Sequence, residues 1–80
     1  MKILVKDPNV IKKELLLKGL SQRKLAELIG YSSPFINQVV NGERSPSGKM
    51  AKKIIDELQV EFDSIFFIDD DYKSNQTVIS

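Results

Sequence analysis

Residues 21–42 read SQRKLAELIGYSSPFINQVVNG, and this stretch predicts two short helices joined by a tight turn. Ser21 is a preferred N-cap residue for the first helix, because its hydroxyl can accept a hydrogen bond from a free N–H of the first turn. Gly30 ends that helix, since glycine adopts the positive φ that a helix C-terminus often requires. The apolar stripe expected to face the core consists of Leu25, Leu28 and Ile29. A helix of about eight residues is stable only when it is packed, so the pair indicates a compact helical domain.

The second helix of the pair begins at Ser32 or Ser33, either of which can be its N-cap. Pro34 then falls in the first turn, where its missing N–H loses no helical hydrogen bond. Asn41-Gly42 ends the helix. The residues expected to face the core are Ile36, Val39 and Val40. No charged residue occurs in this helix, so its outer face is free to contact uncharged groups.

The rest of the chain predicts three more helices. Asp7-Pro8 is a strong start signal for the first of them, and Gly19 is expected to end it. Ser47 begins a fourth helix, and EFDSIFF, residues 61–67, predicts a fifth. The side chains expected to be buried in these helices are Ile11, Leu15 with Leu16 or Leu17, Ala51, Ile54, Ile55, Leu58, Phe62, Ile65 and Phe66.

These five helices predict one all-α domain over residues 8–67, flanked by an N-terminal segment, residues 1–7, and an acidic tail, residues 68–80. KILV, residues 2–5, and TVIS, residues 77–80, have the composition of β-strands but are very short. They could pair with each other or with copies in a second chain, or they could remain unpaired ends.

The charges are unevenly distributed along the chain. Residues 1–60 contain eleven Lys and Arg against six Asp and Glu, whereas residues 61–80 contain one lysine against five acidic residues. A basic body with an acidic tail favours a surface that binds a polyanion. Ordinary solvated charge is the alternative explanation.

Residue types that do not occur narrow the function further. The chain has no cysteine and no histidine, which removes disulfides, thiolate metal sites and the commonest general base. The start MKILVKD lacks the apolar core of a signal peptide, and no segment approaches the ~20 apolar residues of a membrane span. We therefore predict a cytoplasmic protein with no membrane span that is not an enzyme and needs no metal or cofactor.

The stretch GLSQRKLAELIGYSSPFINQVVNGERSPS, residues 19–47, resembles the phage Cro/repressor (XRE) family of helix-turn-helix regulators. The matching residues are Gly19-Leu20-Ser21-Gln22, Leu25-Ala26, Gly30, Ser32, Ile36, Asn41-Gly42, Arg44 and Pro46-Ser47. LQVEFDSIFF, residues 58–67, is similar to the way this family closes its five-helix domain. The resemblance implies a compact lambda-repressor-like fold and sequence-specific binding to double-stranded DNA.

Carried over position by position, the resemblance implies a DNA-binding surface centred on the second helix of the pair. Gln22 would hydrogen-bond a phosphate at a helix N-terminus, where free N–H groups favour anions, although a simple capping role is the alternative. Asn37 and Gln38 are the best candidates for base contact, because a carboxamide can form a bidentate pair with adenine. The full set of implied DNA-binding residues is Gln22, Ser32, Ser33, Pro34, Phe35, Asn37, Gln38, Asn41, Arg44 and Lys49.

Lysines and an arginine flank this uncharged helix on its C-terminal side. The resemblance places Asn41 and Arg44 against the sugar-phosphate chain, and Arg44 could also enter a narrowed minor groove. Lys49, at the start of the fourth helix, is a further phosphate candidate. Lys52 and Lys53 are expected to decorate a solvated face.

Two aromatic residues in this stretch have open roles. Phe35 either contacts a thymine methyl, as the Pro34 ring could, or fills the core, which is the more common fate of a phenylalanine. Tyr31 departs from the small aliphatic residue that the family usually has. Its ring can be buried while its hydroxyl finds a partner or reaches solvent.

The sequence also departs from the family immediately before Asn41-Gly42. Many relatives have a glutamate there that pairs with a basic residue in the first helix, whereas this chain has Val40 and, as its counterpart, Leu15. Losing one partner of a buried ion pair costs about 3–5 kcal/mol, but replacing both with apolar residues can be neutral or stabilising. We therefore predict that Leu15 and Val40 are in contact.

The prediction for function is a transcription regulator of the prophage Cro/repressor type that binds a two-fold symmetric operator as a homodimer. Two half-sites about one helical turn apart would multiply the few base contacts that one short helix offers. The alternative is an antitoxin-like protein-interaction module, which would use the same fold to bind a protein partner. The expected dimer surface is either the fifth helix, with Phe66, Phe67 and Ile68, or the terminal strands.

Overall fold

The chain forms five helices and two short strands within residues 2–69, the part that the computed structural model describes. In chain order the elements are β1 (Lys2–Val5), α1 (Pro8–Leu17), α2 (Gln22–Ile29), α3 (Ser33–Val40), α4 (Gly48–Leu58), α5 (Phe62–Ile65) and β2 (Phe66–Asp69). None of the helices in that part of the chain has the length and apolar character needed to span a membrane. The predicted all-α, five-helix class is confirmed, and two short strands form an antiparallel sheet in addition to the helices.

Side-chain oxygens cap the four longer helices at their N-termini. The pairs are Asp7 with the N–H of Asn9 (2.9 Å), Ser21 with the N–H of Lys24 (3.0 Å), Ser32 with the N–H of Phe35 (3.3 Å) and Ser47 with the N–H of Met50 (3.1 Å). Each cap satisfies a donor that has no partner within its helix. The predicted start signals are therefore confirmed, and Ser32 rather than Ser33 caps α3.

One apolar core receives side chains from every helix and from β2. Its buried residues are Ile11, Leu15, Leu25, Ala26, Ile29, Ile36, Val39, Val40, Met50, Ala51, Ile54, Leu58, Ile65 and Phe66. No charged or polar residue is buried in the described part of the chain, so apolar packing holds the domain together. Ile55 and Phe62 pack against this core while remaining partly exposed.

Three leucines are exposed, contrary to the prediction from helical periodicity. Leu16 and Leu17 are 79% and 66% exposed, because α1 faces the core along Ile11 and Leu15. The next two positions after Leu15 lie about 100° and 200° around the helix from it. Leu28 of α2 is 45% exposed because it lies at the edge of the buried face of that helix, which includes Ala26.

The two strands form an antiparallel ribbon that joins the two ends of the described chain. Ile3 lies opposite Ile68, Leu4 opposite Phe67 and Val5 opposite Phe66. The predicted strand at residues 2–5 is therefore present, but its partner is β2. TVIS, residues 77–80, lies outside the described residues, as does the predicted acidic tail from residue 70 onward.

The predicted fifth helix over residues 61–67 is too long. α5 ends at Ile65, and Phe66 has extended backbone angles of φ −118° and ψ 164°. Two adjacent phenylalanines followed by an isoleucine suit a strand, and β1 supplies the hydrogen-bonding partner that a strand needs. Residues 66–69 consequently form β2, which crosses the expected boundary between the domain and the tail.

Candidate nucleic-acid interface

A three-residue turn, Gly30-Tyr31-Ser32, fixes how α2 and α3 meet. Gly30 is left-handed, with φ 80° and ψ 33°, a conformation that residues with a side chain rarely adopt. The N–H groups of Gly30 and Tyr31 both donate to the carbonyl of Ala26 at 2.9 Å, which closes the end of α2. Ser32 then caps α3 at once. The predicted helix-turn-helix arrangement is therefore present.

Three carboxamides, one exposed and two half-buried, are hydrogen-bonded in a chain that links α2 to α3. Asn37 Nδ2 donates to Gln22 Oε1 at 3.0 Å, and Asn41 Nδ2 donates to Asn37 Oδ1 at 3.1 Å. Gln22 is the first residue of α2, whereas Asn41 is the C-cap of α3, so the chain runs from the start of one helix to the end of the next. We call Gln22, Asn37 and Asn41 the amide chain.

The amide chain leaves a defined set of polar groups for a ligand. A carboxamide has two N–H donors and an oxygen with two lone pairs. Gln22 accepts through its oxygen, so both of its N–H donors stay available at the N-terminus of α2. Asn37 both donates and accepts within the chain, which leaves it one N–H and one lone pair. Asn37 can therefore make the predicted base contact only through that one N–H and that one lone pair.

Gln38 carries the free carboxamide of α3. Its side chain is exposed and makes no hydrogen bond to any residue between 2 and 69. Its backbone carbonyl accepts from the N–H of Glu43 at 2.8 Å, which ties α3 to the loop after it. Pro34 is also exposed, Ser33 is half-buried, and the Ser32 hydroxyl is occupied as the cap. The outer face of α3 therefore presents a free carboxamide and an apolar ring.

Phe35 lies between the core and solvent. It is half-buried and packs against the core cluster, and its ring and the Tyr31 ring meet edge to face with centroids 5.7 Å apart. The guanidinium carbon of Arg44 lies 4.8 Å from the Phe35 ring centroid. The two predicted roles of Phe35 were core filling and base contact, and its partial packing against the core favours the first without complete burial.

Lys53 was not predicted to take part in this arrangement. Lys53 Nζ lies 5.6 Å from the Tyr31 ring centroid and donates to the carbonyl of Ile29 at 3.3 Å. Its expected place on a solvated face is therefore only partly correct, because its ammonium group also satisfies a C-terminal carbonyl of α2. The contact joins residues 24 positions apart, and no local sequence signal indicates it.

The remaining basic candidates lie in the loop after α3 and at the start of α4. Gly42 has φ 80° and turns the chain out of α3 toward Arg44. Lys49 is exposed in the first turn of α4, next to its N-terminus. Neither Arg44 nor Lys49 forms an ion pair with any residue in the described range. Lys52 does, with its Nζ 2.9 Å from Asp56 Oδ2, on the exposed face predicted for it.

The positions where relatives carry an ion pair are apolar and buried in this chain. Leu15 is 3% exposed, Val40 is fully buried, and both belong to the same core cluster. A glutamate at position 40 would need a basic partner at this depth, because an unpaired buried charge is strongly unfavourable. Their common burial supports the replacement of an ion pair by apolar packing, and the direct contact between them stays a prediction.

Comparison with known proteins places this arrangement in a family context. The HTH_3 helix-turn-helix family model matches residues 11–65. The match begins in α1 and ends with α5, so it includes the amide chain and the turn between α2 and α3. Among curated proteins, none matches the chain.

Three solved structures are similar to this one. The restriction-modification controller protein C.AhdI from Aeromonas hydrophila is 28% identical, with a TM-score of 0.64 over 71% of this chain and 86% of that one. A putative DNA-binding protein from Bacteroides fragilis is 28% identical, with a TM-score of 0.66 over 81% and 98%. An HTH_3 family transcriptional regulator from Vibrio cholerae is 32% identical, with a TM-score of 0.59 over 71% of this chain and 32% of that chain.

Proposed function

The chain belongs to the HTH_3 (XRE-type) family of helix-turn-helix DNA-binding transcriptional regulators, and on that premise we propose that it binds a specific duplex sequence with α3 as a homodimer. We assign it to the Cro/repressor type found in prophages, acting in the cytoplasm. The resemblance of residues 19–47 to that type supports the assignment.

The amide chain is the observation that carries this proposal. It couples the residue at the start of α2 to α3 through two hydrogen bonds of 3.0 and 3.1 Å. A phosphate bound by the free N–H donors of Gln22 would therefore fix the position of α3 relative to the DNA backbone. Phosphate contacts set the register of a protein on the duplex, and base contacts then select the sequence.

Gln38 is the residue we assign to base recognition in the major groove. Its carboxamide is exposed and has no partner among residues 2–69, so both its donor and its acceptor are available. That pair of groups matches N7 and N6 of adenine. Asn37 supports it with its remaining donor, while the exposed Pro34 ring is suited to a thymine methyl.

Basic and polar residues around α3 are assigned to the sugar-phosphate chain. Arg44 and Lys49 are exposed cations without an ion-pair partner in the described part of the chain, and Asn41 ends the amide chain shortly before Arg44 in the sequence. Ser32 and Ser33 lie at the N-terminus of α3, where the helix dipole favours an anion. These contacts would supply affinity that does not depend on sequence.

A homodimer follows from the small size of the recognition element. α3 has eight residues and is about 12 Å long, so it can contact only a few base pairs. Two copies placed about 34–36 Å apart would contact successive turns of one face of the duplex. Of the residues expected at the dimer surface, Phe66 is fully buried, whereas Phe67 and Ile68 of β2 are 40% and 46% exposed. The exposed part of β2 is therefore the candidate contact surface.

Selection of bound sequences from a random duplex pool, followed by mass measurement of the complex, tests this proposal. We expect one enriched motif with two-fold symmetry, half-sites one helical turn apart and two chains per duplex. Asn9→Ala, which removes an exposed carboxamide from α1, is the control and should select the same motif.

Two results would contradict DNA binding as the function, and a third would contradict only the homodimer. Failure to enrich any duplex would remove sequence-specific DNA binding. A stoichiometric protein partner that copurifies and blocks DNA would favour the antitoxin-like alternative. A selected motif with a single half-site and one bound chain would overturn the homodimer alone.

A further inference from the structure

Four side chains form a continuous series of ring and cation contacts at α3, and the proposed function so far uses only one of them, Arg44. The Arg44 guanidinium lies 4.8 Å from the Phe35 ring centroid, and the Phe35 and Tyr31 rings meet edge to face at 5.7 Å and 62°. Lys53 Nζ lies 5.6 Å from the Tyr31 ring centroid. We call these residues the cation–aromatic stack.

The two ends of the stack differ in what their charges contact. Lys53 donates to the carbonyl of Ile29 at 3.3 Å, so its ammonium group is already bound to the protein. Arg44 is exposed and forms neither an ion pair nor a side-chain hydrogen bond with any residue between 2 and 69. A guanidinium that lies over a ring keeps its N–H edges free, because the attraction acts through its face. Arg44 is therefore held in place and yet able to bind an anion.

We propose that Phe35 is a positioning residue that holds Arg44 for contact with a DNA phosphate, an inference that rests on the proposed function. Tyr31 and the core cluster restrain the Phe35 ring, and the ring in turn restrains Arg44. A free arginine side chain carries about 2 kcal/mol of rotamer entropy, so restraint before binding raises its affinity for phosphate. Phe35 acts through Arg44 and does not contact the bases.

The packing of Phe35 explains why it does not serve as a base-contacting residue. Its ring packs partly against the core, meets the Tyr31 ring edge to face, and carries the Arg44 guanidinium over its face at 4.8 Å. A thymine methyl would have to displace the guanidinium to reach the same surface. The stack and methyl contact are therefore competing roles, and they predict different effects on sequence preference.

The experiment measures affinity for the selected duplex and for an unrelated duplex over a series of salt concentrations. Phe35→Leu should weaken binding to both duplexes by the same factor, about two- to fivefold, which is the range of an exposed cation–π contact. Arg44→Ala should weaken both at least as much and lower the salt slope by about one. The double variant should bind no more weakly than Arg44→Ala, because Phe35 has nothing left to position.

Conservative variants separate positioning from a general effect on folding. Phe35→Tyr keeps an aromatic ring and should retain wild-type affinity. Arg44→Lys keeps the charge at an exposed site but lacks the planar group, so it should show the same two- to fivefold loss. In the free protein, the Arg44 side-chain proton resonances should be shifted by the aromatic ring and should lose that shift in Phe35→Leu. Should Phe35→Leu fail to fold, Arg44→Lys and the wild-type resonances still decide the matter.

The outcomes distinguish failure of this inference from failure of the proposed function. Wild-type protein that binds no duplex would overturn the proposed function and the positioning role together. Wild-type protein that binds normally, with Phe35 and Arg44 losses that multiply in the double variant, would overturn the positioning role alone. A changed base preference in Phe35→Leu, or full affinity in Arg44→Lys, would also overturn it.

Discussion

α3 and α4 are alike on the side that faces the core and different on the side that faces solvent. Each begins at a serine cap, and Ile36 of α3 and Ile54 of α4 are both fully buried. On the outside, α3 has no charged side chain. The outer positions of α4 carry Lys49, Lys52, Lys53, Asp56 and Glu57.

This difference separates inner positions, where folding determines the residue type, from outer positions, where function determines it. Exposed positions usually tolerate substitution within about 0.5 kcal/mol, so folding imposes little choice on the outer faces. Charged residues make up 29% of the chain, and α4 shows them in the expected place. The uncharged outer face of α3 is therefore better explained by contact with uncharged groups such as base edges.

The inner faces should prove equally important for folding. We expect Ile36→Ala and Ile54→Ala each to lower the free energy of unfolding by about 2–5 kcal/mol, because both remove fully buried methyl and methylene groups. Equilibrium unfolding in urea, followed by circular dichroism, measures the change. If Ile36→Ala lowers the free energy of unfolding by less than about 1 kcal/mol while Ile54→Ala has the expected effect, α3 is packed less well than α4.

The outer face of α3 should matter for sequence recognition and not for stability. We expect Gln38→Ala to weaken binding to the selected duplex by about 1–3 kcal/mol, with little change for an unrelated duplex. Its unfolding free energy should stay within about 0.5 kcal/mol of wild type. Competition binding measures the ratio, with Asn9→Ala as the carboxamide control. Equal weakening on both duplexes would show that Gln38 contacts the backbone.

The outer face of α4 should divide into a DNA-contacting end and a solvated remainder. Lys49→Ala should weaken both duplexes alike and lower the slope of log affinity against log salt by about one. Lys52→Ala is the matched control, because Lys52 already pairs with Asp56 at 2.9 Å. An equal change in slope for both variants would extend the DNA surface along the whole of α4.

Local signals account for most of the helical fold, and therefore for most of the candidate interface. Asp7, Ser21 and Ser47 cap helices as their residue types predict, and Gly30 adopts the positive φ expected of it. Each of these features depends on neighbours within a few residues, which a sequence shows directly. The resemblance of residues 19–47 then identified the surface on which the amide chain lies.

Contacts between distant segments could not be obtained in this way. β1 pairs with residues more than sixty positions later, and four-residue strands leave almost no periodicity from which to choose a partner. The run Leu15-Leu16-Leu17 likewise has no internal signal that says which leucine faces the core. Lys53 and Ile29 meet only because α2 and α4 pack together. Tertiary packing decided each of these cases.

The smallest effect is expected from the ion pair on the outer face of α4. Lys52 and Asp56 are 70% and 61% exposed, and such pairs contribute only about 0.3–0.5 kcal/mol. Asp56 also lies in the last turn of α4, where a negative charge interacts unfavourably with the helix dipole. Removing the charge therefore ends that unfavourable interaction and also the attraction to Lys52. We expect Asp56→Asn to change the free energy of unfolding by less than about 0.5 kcal/mol in low salt, and less still in 1 M salt.

A double-mutant cycle with Lys52→Met isolates the pair. A coupling above about 1 kcal/mol would mean that charge on this face was selected for stability, which would weaken the contrast with α3.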